Sequence, residues 1–318
     1  MAVAPSAQPQ SRPRSTAGAR WPRRLVPLLT AHLVVALVAL VAIGGATRVM
    51  EAGLACPDWP LCYGVLWPGR QWNLQVFLEW FHRLDAFLVG VALLLLFALS
   101  LRFRARFPGW LPWSSGLALA LVAVQGGLGA LTVLSQLAAP TVTLHLATAL
   151  SLVLLLSAMH QGLERPDPQA AGLLLPRWWS PLPFLAALLV GAQCLLGGAM
   201  ASRWAADLCV NAGEGCRWLL LHRQGAYPAA IAVLVLAAGS LALPTGHRRL
   251  QALSLTAAAL VAVQVALGVF TLRLQLAVPA VTVAHQLTAA LLVAVLGALC
   301  GLSFQSPSVP TRLEVAHG

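Results

Sequence analysis

Four histidines carry the chemistry that this chain's spacing suggests. His82 and His222 are each followed directly by an arginine, Arg83 and Arg223, and each begins an apolar stretch. His145 and His285 follow Pro140 and Pro279 by five and six residues, and each lies inside a further apolar stretch. Two imidazoles on facing helices can hold an iron porphyrin between them as axial ligands. The competing reading is a histidine that merely hydrogen-bonds near the membrane interface. Pairing and duplication favour the ligand reading, because ionisable groups inside a membrane tend to mark function. The other histidines, His32, His160, His247 and His317, have no repeat partner and read as structural.

The four recur because the two halves of the chain match. Leu121–Pro140 aligns without gaps on Leu260–Pro279, with Gly129 on Gly268 and Val124-Gln125 on Val263-Gln264. Upstream, Gly44-Gly45-Ala46 falls on Gly197-Gly198-Ala199, and His82-Arg83 on His222-Arg223. The glycine pairs remove side chains where a flat ring can approach a backbone, or equally where two helices pack closely. Arg83 and Arg223 can pair with haem propionates or extend as charged ends at the interface.

Cysteines and one acid complete the set. Cys56 and Cys62 share one loop and Cys209 and Cys216 the equivalent loop of the other half, which reads as a disulfide in each. They serve either as clips on a loop covering the site or as a redox relay. Cys194 and Cys300 lie within apolar stretches and read as packing residues. Glu79 stands three residues before His82, on the same helical face, whereas the matching position is Leu219. A carboxyl in apolar surroundings can exchange protons. It can also simply pair with Arg83 at i+4.

These residues must be positioned by membrane helices. Of 318 residues 59% are hydrophobic and 9% charged, with mean hydropathy +0.81, far from the roughly 25% charged of a soluble domain. Spans of about 20 apolar residues run over Leu25–Ala46, Glu79–Leu101, Leu111–Leu134, Pro140–Gln161, Pro181–Ala201, Leu219–Leu243, Gln251–Leu272 and Pro279–Leu302. The fold class is therefore all-α and integral to the membrane: eight transmembrane helices forming two parallel-repeat four-helix bundles. The N-terminal repeat covers 25–162 and the C-terminal repeat 181–302, with a linker over 163–180 and tails over 1–24 and 303–318. The net charge of +11 comes entirely from arginine against nine acids. Thirteen arginines, including Arg12, Arg23, Arg102, Arg177, Arg248 and Arg312, fall on one side of the spans. The positive-inside rule makes that side cytoplasmic, with both termini inside. Nucleic acid is excluded as a partner, since too few polar residues remain to build a soluble basic face. The Pro-, Ser- and Arg-rich first 24 residues are expected to be disordered, and the first span to be a retained anchor.

Together these residues resemble the haem A synthase family. The resemblance rests on Gly44-Gly45-Ala46-Thr47-Arg48 leading into Cys56-Pro57-Asp58-Trp59-Pro60-Leu61-Cys62-Tyr63-Gly64, on Glu79-x-x-His82-Arg83, and on four histidines in a duplicated eight-span frame. It implies an oxidoreductase that converts the C8 methyl of haem O to a formyl group, giving haem A for terminal oxidases. By the same resemblance His82 and His145 hold substrate haem O with Glu79 catalytic, and His222 and His285 hold a haem B cofactor. The implied partners are haem O synthase, oxidase assembly factors, an electron donor or acceptor, and the bilayer itself. The cysteine pairs resemble bacterial members, which implies the bacterial cytoplasmic (inner) membrane. From the residues alone, a di-haem b-type electron-transfer protein and a proton-relaying transporter stay open.

Overall fold

The structure, a computed structural model, describes residues 21–164, 175–201, 217–244 and 246–304. Its long helices are α1 (Trp21–Val49), α2 (Leu74–Arg102), α3 (Trp110–Leu134), α4 (Ala139–Leu163), α5 (Pro181–Met200), α6 (Arg217–Leu241), α7 (Arg248–Arg273) and α8 (Pro279–Ser303). All eight are long and apolar enough to cross a membrane, and the chain is a multi-pass membrane protein. Sequence and structure agree on every span, with one consequential difference. Helix α2 starts at Leu74, five residues before the expected Glu79, because Asn73 caps it by accepting a hydrogen bond from the Val76 N–H at 2.9 Å. His82 therefore lies about two turns inside the helix instead of one.

Most other ends follow local rules. Prolines occupy the first turn of α4, α5 and α8, where the missing N–H costs nothing. The α3–α4 and α7–α8 connections are matching tight turns. Gln136 and Leu137 have φ of 52° and 60°, and Gln275 and Leu276 have 50° and 62°. In each turn the second residue returns its N–H to a helix carbonyl five residues back, Leu137 to Thr132 and Leu276 to Thr271, satisfying an end carbonyl.

Helices α4 and α8 form the centre. Helix α8 is half buried along its apolar length, whereas α3 and α7 are mostly exposed. Gly297 and Gly301, four residues apart on α8, lie against the backbone of Leu154 and Ala158 on α4, where a side chain has no room. Small residues at this spacing let two membrane helices touch along their backbones. Ser157 adds a hydrogen bond to the Ala294 carbonyl in the same seam. Helix α1 packs on α2, α4 and α8, and α5 packs on α6, α4 and α8. Arg23 and Arg24, expected in the N-terminal tail, belong to the first turn of α1.

Candidate functional site

Glu79 and Arg83 lie one turn apart near the N-terminal end of α2, and both are turned onto the preceding loop. Arg83 Nη2 donates to Glu79 Oε1 at 2.6 Å, and the other carboxylate oxygen accepts from the Cys56 N–H at 2.7 Å. Arg83 Nη1 donates to the carbonyls of Asp58, at 2.6 Å, and of Leu61. Cys56 and Cys62 form a disulfide, Cα–Cα 4.7 Å, and pack with Val76, Trp72 and Trp80 in a small core of their own. Asp58 accepts from the N–H groups of Tyr63 and Gly64, and Trp80 Nε1 donates to the Leu66 carbonyl at 2.7 Å. The loop is thus a fixed cap on the N-terminal end of α2. Cys209 and Cys216, the expected second disulfide, lie outside the described residues, as do Arg203, His317, residues 165–174 of the linker and the outer parts of both tails.

Below this cap the structure brings His82 and His145 together. Their rings face each other from α2 and α4 with centroids 6.4 Å apart and planes 64° apart. His222 on α6 and His285 on α8 stand at the matching places of the second half. Each of the four rings rests on a glycine of an adjacent helix. A Cβ added at Gly44 would lie 2.9 Å from His82, at Gly197 2.8 Å from His222, at Gly268 3.1 Å from His285, and at Gly129 3.4 Å from His145. The second glycine of each doublet does different work: Gly45 makes room for Gln286, and Gly198 for Leu146. The doublets therefore seat an imidazole and a neighbouring helix.

The four histidines differ in what lies beside Nδ1. His285 Nδ1 lies 3.1 Å from the Gln264 carbonyl, and His222 Nδ1 lies 3.0 Å from the Gln193 amide. The buried Nδ1 atom of His82 has no hydrogen-bond partner, whereas His145 meets the backbone of Gln125. Side-chain oxygens of Gln125, Gln193 and Gln264 are also buried without partners. Gln125 and Gln264 coincide in the internal repeat and were legible there. Gln193 was not, because its matching residue is Leu40. Arg223 is exposed and makes no ion pair or hydrogen bond among the described residues, unlike Arg83. Among the described residues no three histidine, cysteine or acidic side chains cluster as a metal site.

Residues 28–76 and 70–297 match the family model described as cytochrome oxidase assembly protein, COX15-CtaA. The chain belongs to this family. A relative named "Heme A synthase" from Sphingopyxis alaskensis is 31% identical, over 90% of this chain and 92% of its own. One of the same name from a Caulobacter species is 30% identical, over 85% of this chain and 94% of its own. A third, from Shewanella oneidensis, is 31% identical over 58% of this chain; that match spans 59% of the relative's length. Membership covers both histidine pairs and the disulfide loop, so the site described above is the part of the chain that the family match encloses.

Proposed function

We propose that this membrane enzyme is a haem A synthase, oxidising the C8 methyl of haem O to a formyl group. The observation that carries the reading is the His82–His145 pair, 6.4 Å between ring centroids. Two imidazoles bound to one iron need about 6.3 Å between centroids, taking a metal–nitrogen bond of about 2.0 Å and half a ring on each side. The carbonyl of Gln264 beside His285 Nδ1 also suits an imidazole that carries its proton on Nδ1 and offers Nε2 to iron. The residues fit the porphyrin they are assigned.

In this reading His82 and His145 hold substrate haem O, and His222 and His285 hold haem B. Bound haem B supplies one-electron redox chemistry. The chain's own residues do the rest. Gly44, Gly129, Gly197 and Gly268 set the height of each imidazole, and the Cys56–Cys62 loop closes the outer end of the first site against water. Glu79, one turn from His82, holds a proton acceptor at Oε1, which Arg83 keeps aligned. Arg83 is committed to the loop carbonyls, so Arg223 is the arginine left to meet a propionate. Glu79 has no acidic counterpart at Leu219, which assigns oxidation to the first half.

The two halves are read as parallel four-helix repeats over 25–162 and 181–302. Matching contacts support this: Gly44 to His82 answers Gly197 to His222, and Gly45 to Gln286 answers Gly198 to Leu146. In this reading both termini are cytoplasmic, which the arginine distribution supports, the disulfide loop lies on the oxidising face, and the cell is bacterial, as the resemblance of the cysteine pairs implies. Haem O synthase, oxidase assembly factors and an electron donor or acceptor are the partners proposed.

The test is haem composition. Membranes from cells lacking their own haem A synthase, expressing this chain and supplied with haem O, are extracted and separated by chromatography and mass. Haem A is expected. Two stable haem B per chain, without haem A, would overturn the reading in favour of an electron carrier.

A further inference from the structure

We propose that the tip of the disulfide loop, residues 65–68, is seated in lipid at the bilayer interface, so that the cap over the first histidine pair is held by the membrane as well as by its own bonds. The inference is independent of the haem assignment. It needs only that α2 crosses a bilayer.

The tip is apolar and uncovered. Leu66 is 81% exposed and Trp67 63%, with Val65 exposed beside them. No charged residue stands between Asp58 and Arg70. An exposed apolar patch of this kind marks a surface that meets something other than water. Trp67 belongs to a cluster of rings, its centroid 5.0 Å from those of both Trp72 and Trp80. Trp72 lies 6.0 Å from Phe77, which stacks on Phe81 at 5.6 Å. Phe77 and Phe81 are exposed on the same face of α2 as Leu84 and Leu88, the face that a spanning helix turns to lipid. The aromatic surface therefore runs from the lipid face of α2 to the loop tip without a polar interruption.

The backbone suits the same surroundings. The four successive carbonyls of residues 65–68 all have partners within the protein. Val65 accepts from the Cys62 N–H at 3.1 Å, and Leu66 from Trp80 Nε1 at 2.7 Å. Trp67 accepts from the Gly69 N–H and Pro68 from the Gln71 N–H, each at 2.9 Å. In water an exposed carbonyl can bond to solvent, whereas next to hydrocarbon it must be satisfied internally. Apolar side chains turned out and carbonyls turned in fit the lipid boundary, where tryptophan rings concentrate. The second half has no such stretch: Cys216 runs directly into Arg217, the first residue of α6. The loop that offers its Cys56 N–H to Glu79 is thus the one braced by the membrane.

The experiment uses the full-length chain in vesicles of phosphatidylcholine and phosphatidylglycerol, with a fluorescent dansylalanine encoded in place of Leu66. The site is exposed, so the label displaces no packed neighbour. Two quenchers are compared: phosphatidylcholine brominated on its acyl chains close to the headgroup, and iodide in the water. The bromolipid is expected to remove most of the fluorescence at position 66, as it does for the same label in place of Leu88, mid-span on the lipid face of α2. Iodide is expected to remove little from either. Quenching at 66 by iodide and not by bromolipid would overturn the proposal, because the tip would stand in water. Protection from both quenchers would also overturn it, because a second copy or another segment of the chain would then cover the patch. Either failure leaves the haem reading intact, since that reading is tested separately by haem extraction.

Discussion

The rings of His82 and His145 face each other across α2 and α4 with 6.4 Å between centroids. They stand 63 positions apart in the chain, and α3 with its tight turn returns α4 to the face of α2 where they meet. His82→Ala or His145→Ala is expected to abolish haem O binding at this site while the haem of the second pair remains. Titration of purified protein with haem O, read by the change in the Soret band, checks this. Undiminished binding in both variants would remove the first site.

The second pair is expected to behave as a resident cofactor site. His222→Ala or His285→Ala should each eliminate the low-spin haem B signal, since a bis-histidine iron loses an axial ligand. Electron paramagnetic resonance of the purified variants decides it, and a retained low-spin spectrum in both would count against the assignment.

The Cys56–Cys62 disulfide lies against Val76, Trp72 and Trp80, and the equivalent Cys209–Cys216 bond is predicted outside the described residues. Unreduced peptide mass mapping should find both as intramolecular bonds. Four thiols open to alkylation in native protein would contradict the prediction.

Glu79 is tied to both Cys56 N–H and Arg83, so two roles must be separated. Glu79→Gln keeps size and one acceptor, and should leave the second haem intact. Conversion of haem O should drop about 10²–10⁴-fold if the carboxylate moves a proton. Leu219→Glu should create no activity, because the second pocket holds the cofactor. Normal haem A from Glu79→Gln would show that the carboxylate only fastens the loop.

Close backbone contact between α4 and α8 predicts a stability defect. Gly301→Val puts a branched side chain against the Ala158 backbone, where nothing flexible can yield. Destabilisation of about 1–3 kcal/mol is expected, visible as a lower thermal inactivation temperature in detergent. Gly90, which has open space at its Cβ position, should tolerate alanine.

Much of this protein was determined by sequence alone. Hydropathy placed all eight spans because lipid requires long helices with their backbone bonds internal. The repeat singled out His82, His145, His222 and His285, since duplication preserves residue type and spacing whatever the packing. The family resemblance drew on the same residues. Only the tertiary structure decided how their neighbours are used. Gly44 and Gly197 look like generic small residues until an imidazole is found resting on them. Arg83 reads as a propionate partner until its donors are seen to reach Glu79 and the carbonyls of Asp58 and Leu61. Gln193 carries no signal in the repeat at all, and becomes meaningful only when α5 brings its amide within 3.0 Å of His222. Hydropathy and repeat spacing are properties of the chain in order. Hydrogen-bond partners and the room for a Cβ depend on which helices meet, and that is set by packing between segments distant in sequence.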